Sequence, residues 1–191
     1  MSALSSDAVQ ALLIVDIQTA FVTGDEAAPA SEQLLGNLGD LLDRARQAGA
    51  LVVHLQNDGP PGAVDEPGTP GWELYFQVAD SSREVVIRKL KDDGFDGTAL
   101  DEILRRHGVG RVCVVGVMSE MCVLATARAA LERKFGVAMP HDGHATFNIG
   151  AAPGATEGVP AAMASRVAEW ALGDEVEIIA HTTDVDFDPI I

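Results

Sequence analysis

Three residues of this 191-residue chain have the types and settings for covalent hydrolysis. Cys122 follows Gly-Val-Met-Ser-Glu-Met (116–121), where an apolar strand gives way to a helical pattern. With Ser119 as N-cap, the thiol falls in the first helical turn. There the unpaired N–H groups favour a thiolate and can hold an oxyanion. A structural cysteine at a helix start fits the same pattern. Asp16 ends the apolar run ALLIVD (11–16). A carboxylate after such a run is costly to bury without a partner, although an ordinary loop or cap residue reads the same way. Lys89 closes EVVIRK (84–89) and either snorkels to solvent or pairs with an anion. Together the three suit acyl transfer: a nucleophile, a proton carrier, and a cation that stabilises both.

These residues need a scaffold that gathers them. Apolar runs at 11–16, 50–56, 84–89, 111–117, 135–140 and 175–181 read as strands. Helical patterns separate them at 31–47, after Thr98, at 119–134 and at 160–172. This alternation predicts an α/β fold: a three-layer α/β/α sandwich whose Rossmann-like, mainly parallel sheet has about six strands, in one domain over 1–191. Ligands in such sheets bind at the carboxyl ends of the strands, where Asp16, Lys89 and Met118–Cys122 all fall. The loop 57–72 carries four Pro and four Gly. The loop 141–158 is rich in small residues. Both are longer than plain connectors, and Pro-stiffened backbone with Trp72 favours an ordered wall.

Apolar residues make up 47% of the chain, enough for a sizeable core. The net charge of −16 repels phosphate backbones, so nucleic acid is not an expected partner. Cys113 and Cys122 are too far apart for a metal or redox pair of the CxxC kind. Residues 1–10 lack the charge and apolar stretch of a secretory leader, and no run is long enough to span a bilayer. The expectation is a cytoplasmic protein with a small-molecule substrate and no membrane partner.

The segments LLIVDIQTAF, VIRKLKDDGFDGT and VVGVMSEMCVLATARAA resemble the three signature segments of the isochorismatase-like cysteine hydrolases, in order, over about residues 10–147. The resemblance implies that Asp16, Lys89 and Cys122 are catalytic. It also implies a cis peptide at Val117–Met118, with the Met118 and Cys122 amides forming an oxyanion hole, and a homodimer or larger homo-oligomer. It departs from the metal-binding nicotinamidases: His54, in VVHLQNDG, has no Asp two residues before it. No metal and no cofactor are therefore expected. QNDGPPG, GTPGWEL and PHDGHATF resemble a nicotinamidase-related branch that includes streptothricin-hydrolase-like enzymes. Those open a lactam in a polycationic antibiotic. Asp58, Asp65, Glu66, Glu120 and Asp142 would suit a cationic substrate.

The reaction implied is cleavage of an amide or lactam C–N bond through a thioester on Cys122. Gln18, Phe21, Asn57, Trp72, Phe95, Glu120 and Phe147 are candidate pocket residues. An isochorismatase-type vinyl ether hydrolase remains an alternative. So does a non-catalytic phospho-receiver-like domain built on Asp16 and Lys89, which gives no role to GVMSEMC. A dinucleotide-binding oxidoreductase lacks the Gly-rich turn it needs after the first strand. An aspartyl-phosphate phosphatase would want a second acid where Gln18 stands.

Overall fold

Four of the expected runs become adjacent strands of one sheet in the computed structural model, which describes residues 8–190. They are β1 (Ala11–Val15), β2 (Leu51–Asn57), β3 (Glu84–Lys89) and β4 (Arg111–Val117). β5 (Gly136–Pro140), the two-residue β6 (His144–Ala145) and β7 (Val176–Ile179) complete it. Most of the opening segment read as lacking a leader lies outside the described residues. The strand order is β3-β2-β1-β4-β5-β7, with β6 paired to the end of β4, and every ladder is parallel. The expected α/β sandwich is therefore the observed architecture, with seven strands in place of about six.

The helices are α1 (Thr19–Val22), α2 (Ser31–Ala48), α3 (Leu100–Arg106), α4 (Leu124–Glu132) and α5 (Ala161–Ala171). Strands with both faces covered carry continuous apolar runs, and alternate residues serve opposite cores. Leu12, Ile14, Val52, Cys113 and Val115 pack with Leu34, Leu38, Leu41 and Leu42 of α2. Leu13, Val15, Val53, Leu55 and Val114 pack with Leu100 and Leu104 of α3 and Ala127 and Ala130 of α4. α2 ends at Gly49, whose φ of 75° closes it in a left-handed cap. No described helix is long and apolar enough to cross a membrane.

The chain leaves β1 toward one edge and β4 toward the other. The crevice between their carboxyl ends is thus the topological switch point. One glycine makes the approach possible. Gly116, at φ 126°, would set a Cβ 2.0 Å from the Val15 carbonyl oxygen, so a side chain there has no space.

The loop 57–72 is an ordered set of turns, as expected. The Gly59 N–H donates to the Asp65 carbonyl (3.0 Å), Asn57 Nδ2 to Asp65 Oδ2 (2.6 Å) and Trp72 Nε1 to Asp58 Oδ1 (2.9 Å).

Candidate active site

Asp16 follows β1 with φ 51°, a left-handed conformation that aspartate tolerates better than most residues. Two backbone bonds hold it there: its N–H donates to the Leu55 carbonyl (2.9 Å), and the Gln18 N–H donates to its own carbonyl (2.7 Å). Lys89 ends β3, two strands from β1, a gap of about 10 Å between strand axes. A long side chain is needed to span it, and Lys89 does so while almost fully buried. Its Nζ lies 2.8 Å from Asp16 Oδ2 and 3.3 Å from Cys122 Sγ. It also donates to the Lys91 carbonyl (3.2 Å) and to Asn57 Oδ1 (3.4 Å). The three residues singled out from the sequence therefore meet around one ammonium group. Cys122, 6% exposed, is the most accessible of them, against 2% for each of the others.

Cys122 rides on a single π-helical turn, Ser119–Val123, that joins β4 to α4. The turn starts at Met118, whose peptide bond with Val117 is cis. The Val123 N–H reaches back five residues to the Met118 carbonyl (3.2 Å). Ser119 is not the expected side-chain cap. Its hydroxyl is fully buried and bonded instead to His144 Nδ1 (2.8 Å) and Ser165 Oγ (2.9 Å). The cap expected from sequence thus loses to partners brought from distant chain.

The electrostatics also differ from expectation. A thiol pKa lowered by a helix N-terminus was expected; burial, reinforced by the Asp16 charge, instead pushes the Cys122 thiol well up, and Lys89 offsets only part of this. Burial likewise raises Asp16 despite the pull of Lys89. Lys89 is raised: its burial disfavours the ammonium, but Asp16 and Cys122 outweigh that. The resting pocket is then a thiol beside an ammonium–carboxylate pair, with the carboxylate's affinity for a proton increased. Asp16 Oδ1 is buried and has no hydrogen-bond partner among the described residues.

The candidate pocket residues divide. Asn57 touches Lys89, as above. Trp72 is half-buried beneath the Arg88 guanidinium, 5.1 Å from the ring centroid. Phe21 and Phe147 are half-buried, and Phe21 packs against the α2-side core. Gln18 is a fully buried brace, not a pocket surface: it donates to the Asn57 and Trp72 carbonyls (3.0 Å each) and accepts from the Asn57 N–H (2.8 Å). Phe95 is also misplaced by the sequence reading. It belongs to the core, stacked on Phe135 with ring centroids 6.1 Å apart and capped by Arg133. Glu120 accepts from Thr146 Oγ1 (2.8 Å) and borders an open cavity of about 360 Å³ with Asp92, Met121 and Arg128.

Sequence reasoning passed over Asp92, whose Oδ1 lies 3.6 Å from Cys122 Sγ. It sits in the quoted segment VIRKLKDDGFDGT, but nothing in its spacing separated it from Asp93. The acidic residues expected at the mouth are largely engaged. Asp58 pairs with Arg88 (2.7 Å), Asp65 is buried against Asn57, and Asp142 accepts from the Thr182 N–H (2.6 Å). His54 is buried, its Nε2 2.8 Å from Glu84 Oε1. No group of three or more metal-ligating side chains converges among the described residues.

The model of the isochorismatase domain matches residues 10–171. Two streptothricin hydrolases of Streptomyces noursei are 61% and 60% identical to this chain over 179 residues. Each match covers 94% of this chain, and 71% and 65% of the respective relatives. Among solved structures, an isochorismatase from Pseudomonas putida KT2440 superposes with a TM-score of 0.82 at 26% identity, covering 92% of this chain and 90% of that one. The N-carbamoylsarcosine amidase of Thermoplasma acidophilum gives 0.65 at 29% identity, over 70% and 82%. The three signature segments, the switch-point location and these matches agree: the chain belongs to the isochorismatase family.

Proposed function

We propose that the protein is a cysteine hydrolase that opens an amide or lactam C–N bond through a thioester on Cys122, with streptothricin as the first substrate to try. One observation carries this reading. A sulfur stands 3.3 Å from an ammonium that is itself 2.8 Å from a carboxylate, and that carboxylate has a buried oxygen with no partner among the described residues. The relatives named streptothricin hydrolase support the substrate class.

The thiol proton passes to Asp16 as the sulfur attacks the carbonyl carbon. The raised Asp16 is suited to receive it. Lys89 compensates the charge as the sulfur loses its proton. The Met118 and Cys122 amides bind the oxyanion. Collapse breaks the C–N bond, and Asp16 returns its proton to the leaving nitrogen. Asp16 then takes a proton from water, whose oxygen attacks the thioester; the C–S bond breaks, the carboxylic acid leaves, and Asp16 returns that proton to the sulfur to restore the thiol. A phospho-receiver would leave the sulfur without a task. Self-association and a cytoplasmic setting belong to the same proposal. Sedimentation velocity tests the first, and the two free cysteines agree with the second.

The test is Cys122→Ala against a panel of streptothricin, simple lactams, nicotinamide and acyl amides. Turnover is expected to vanish with the fold intact by circular dichroism. Intact mass after rapid quench should show an acyl adduct on the parent enzyme only. Undiminished turnover by Cys122→Ala would refute the mechanism.

A further inference from the structure

The nucleophile turn is gripped from behind by groups that the mechanism above does not use. β6 pairs with the end of β4, setting His144 opposite Gly116 and Ala145 opposite Val117. From that short strand His144 Nδ1 meets Ser119 Oγ (2.8 Å), and two residues on Thr146 Oγ1 donates to Glu120 Oε1 (2.8 Å). Consecutive residues of the turn are therefore held by His144 of β6 and by Thr146 just past its end. Behind His144 stands Glu169 of α5, its Oε1 3.2 Å from His144 Nε2. The same oxygen takes His141 Nδ1 (2.5 Å), and its Oε2 accepts from Arg166 (3.1 Å).

This chain has a direction. A carboxylate only accepts, so His144 Nε2 carries a proton and donates it to Glu169. In the neutral ring Nδ1 is then the acceptor, and the Ser119 O–H must donate to it. Ser119 Oγ in turn accepts from the Ser165 O–H (2.9 Å). The carboxylate form of Glu169 is favoured: burial alone would raise it, but the bonds from His144 and His141 outweigh that. Serine, histidine and glutamate in series suggest a second nucleophile. The burial excludes it, because Ser119 is fully enclosed and offers no oxygen to a substrate.

We infer that His144 is a positioning residue: through Ser119, and backed by Glu169, it fixes the turn that holds Cys122 against Lys89. The inference rests on Cys122 being the nucleophile. The sulfur's own contacts, Lys89 Nζ (3.3 Å) and Asp92 Oδ1 (3.6 Å), reach the sulfur alone and leave the Ser119 end of the turn to His144 and Ser165. Small displacements of a reacting group are expensive, about 100-fold in rate for about 1 Å.

The test uses Ser119→Ala, Ser119→Thr, His144→Gln and the double variant Ser119→Ala/His144→Gln. Steady-state hydrolysis of streptothricin is measured beside the rate of Cys122 alkylation by iodoacetamide. Fully buried Cys113 is the internal control. We expect Ser119→Ala to lower kcat about 10- to 100-fold, with KM within about 2-fold and slower alkylation. Ser119→Thr, which keeps the hydroxyl, should stay within about 3-fold of the parent. The double variant should be little worse than the poorer single one, because both break one chain. Parent-like kcat in Ser119→Ala overturns the inference, as do losses that multiply as independent lesions. Where His144→Gln does not accumulate folded, Ser119→Ala alone decides. The two ideas fail separately: an active Cys122→Ala removes the nucleophile reading, while a parent-like Ser119→Ala beside a dead Cys122→Ala removes only the positioning.

Discussion

Lys89 is the residue on which the three-way contact depends. It is a cation enclosed among groups whose charges depend on it: it opposes the burial that raises Asp16, and it keeps Cys122 from rising further. Lys89→Gln leaves Asp16 with no cation beside it. A buried carboxyl in that position takes up a proton and can no longer accept one from the thiol. Loss of the general base predicts a fall in kcat of about 100- to 10,000-fold near neutral pH. Stability should respond with a definite sign. A carboxyl whose folded pKa is raised is most compatible with the fold below the ordinary carboxylate range, and that compatibility is lost as pH rises through the raised value. The deficit of Lys89→Gln relative to the parent should therefore be small at about pH 5 and grow to about 2–3 kcal/mol by about pH 8, short of the full penalty for an unpaired buried charge. Urea melts at the two pH values measure it, and a deficit larger in acid contradicts this account.

The elements were legible in the sequence wherever one physical cause dominated. Continuous apolar runs marked β1, β2 and β4 to within a residue, because a strand covered on both faces has no polar side to blur the pattern, while β3, at the sheet edge, alternates buried and exposed residues and was still marked by EVVIRK. α1 and β6 were missed: at four and two residues they are too short to show a period, and tertiary contacts stabilise them. The π turn was missed for a related reason. Ser119 carries a good local cap signal, yet its hydroxyl is claimed by His144 and Ser165, 25 and 46 residues away. Phe95 misled because an aromatic six residues after a proposed signature lysine resembles a pocket wall, whereas Phe135 offered it a stacking partner. Glu84 also ties elements together invisibly to sequence. It opens β3 while bonding Arg46 of α2 (2.7 and 2.9 Å) and His54 of β2 (2.8 Å). Burial would raise Glu84, but those partners hold it below the ordinary glutamate range. Its contribution is thus present above that range and lost as pH falls through the lowered value. His54, pushed down by its own burial, adds to the acid sensitivity, since unfolding frees it to bind a proton. Glu84→Gln should cost about 2 kcal/mol near neutral pH and flatten the acid limb of a Tm-against-pH curve. An unchanged acid limb means the clamp contributes nothing.

At the scale of the whole molecule the outstanding property is charge: 29 acidic against 13 basic residues. A folded chain of this length has a radius of gyration of about 16 Å, and the unfolded chain about 47 Å. At about 0.01 M salt the screening length is about 30 Å, so nearly every charge on the folded protein feels every other, and unfolding relieves the repulsion. At about 0.15 M the length falls to about 8 Å, and only near neighbours interact. Salt should therefore stabilise the fold. The opposing effect is the screening of favourable surface pairs such as Arg105–Asp101 (3.0 Å) and Lys91–Asp96 (2.6 Å). Exposed pairs of this kind contribute about 0–1 kcal/mol each and lose only part of that. The buried Lys89–Asp16 contact lies beyond the reach of mobile ions and should not respond. The balance predicts a gain of about 1 kcal/mol, seen as a Tm rise of about 2–4 °C between the two salt concentrations. Scanning calorimetry in sodium chloride at constant pH measures it. A Tm that falls instead would mean that local pairs, not the excess of carboxylates, set the electrostatic stability of the fold.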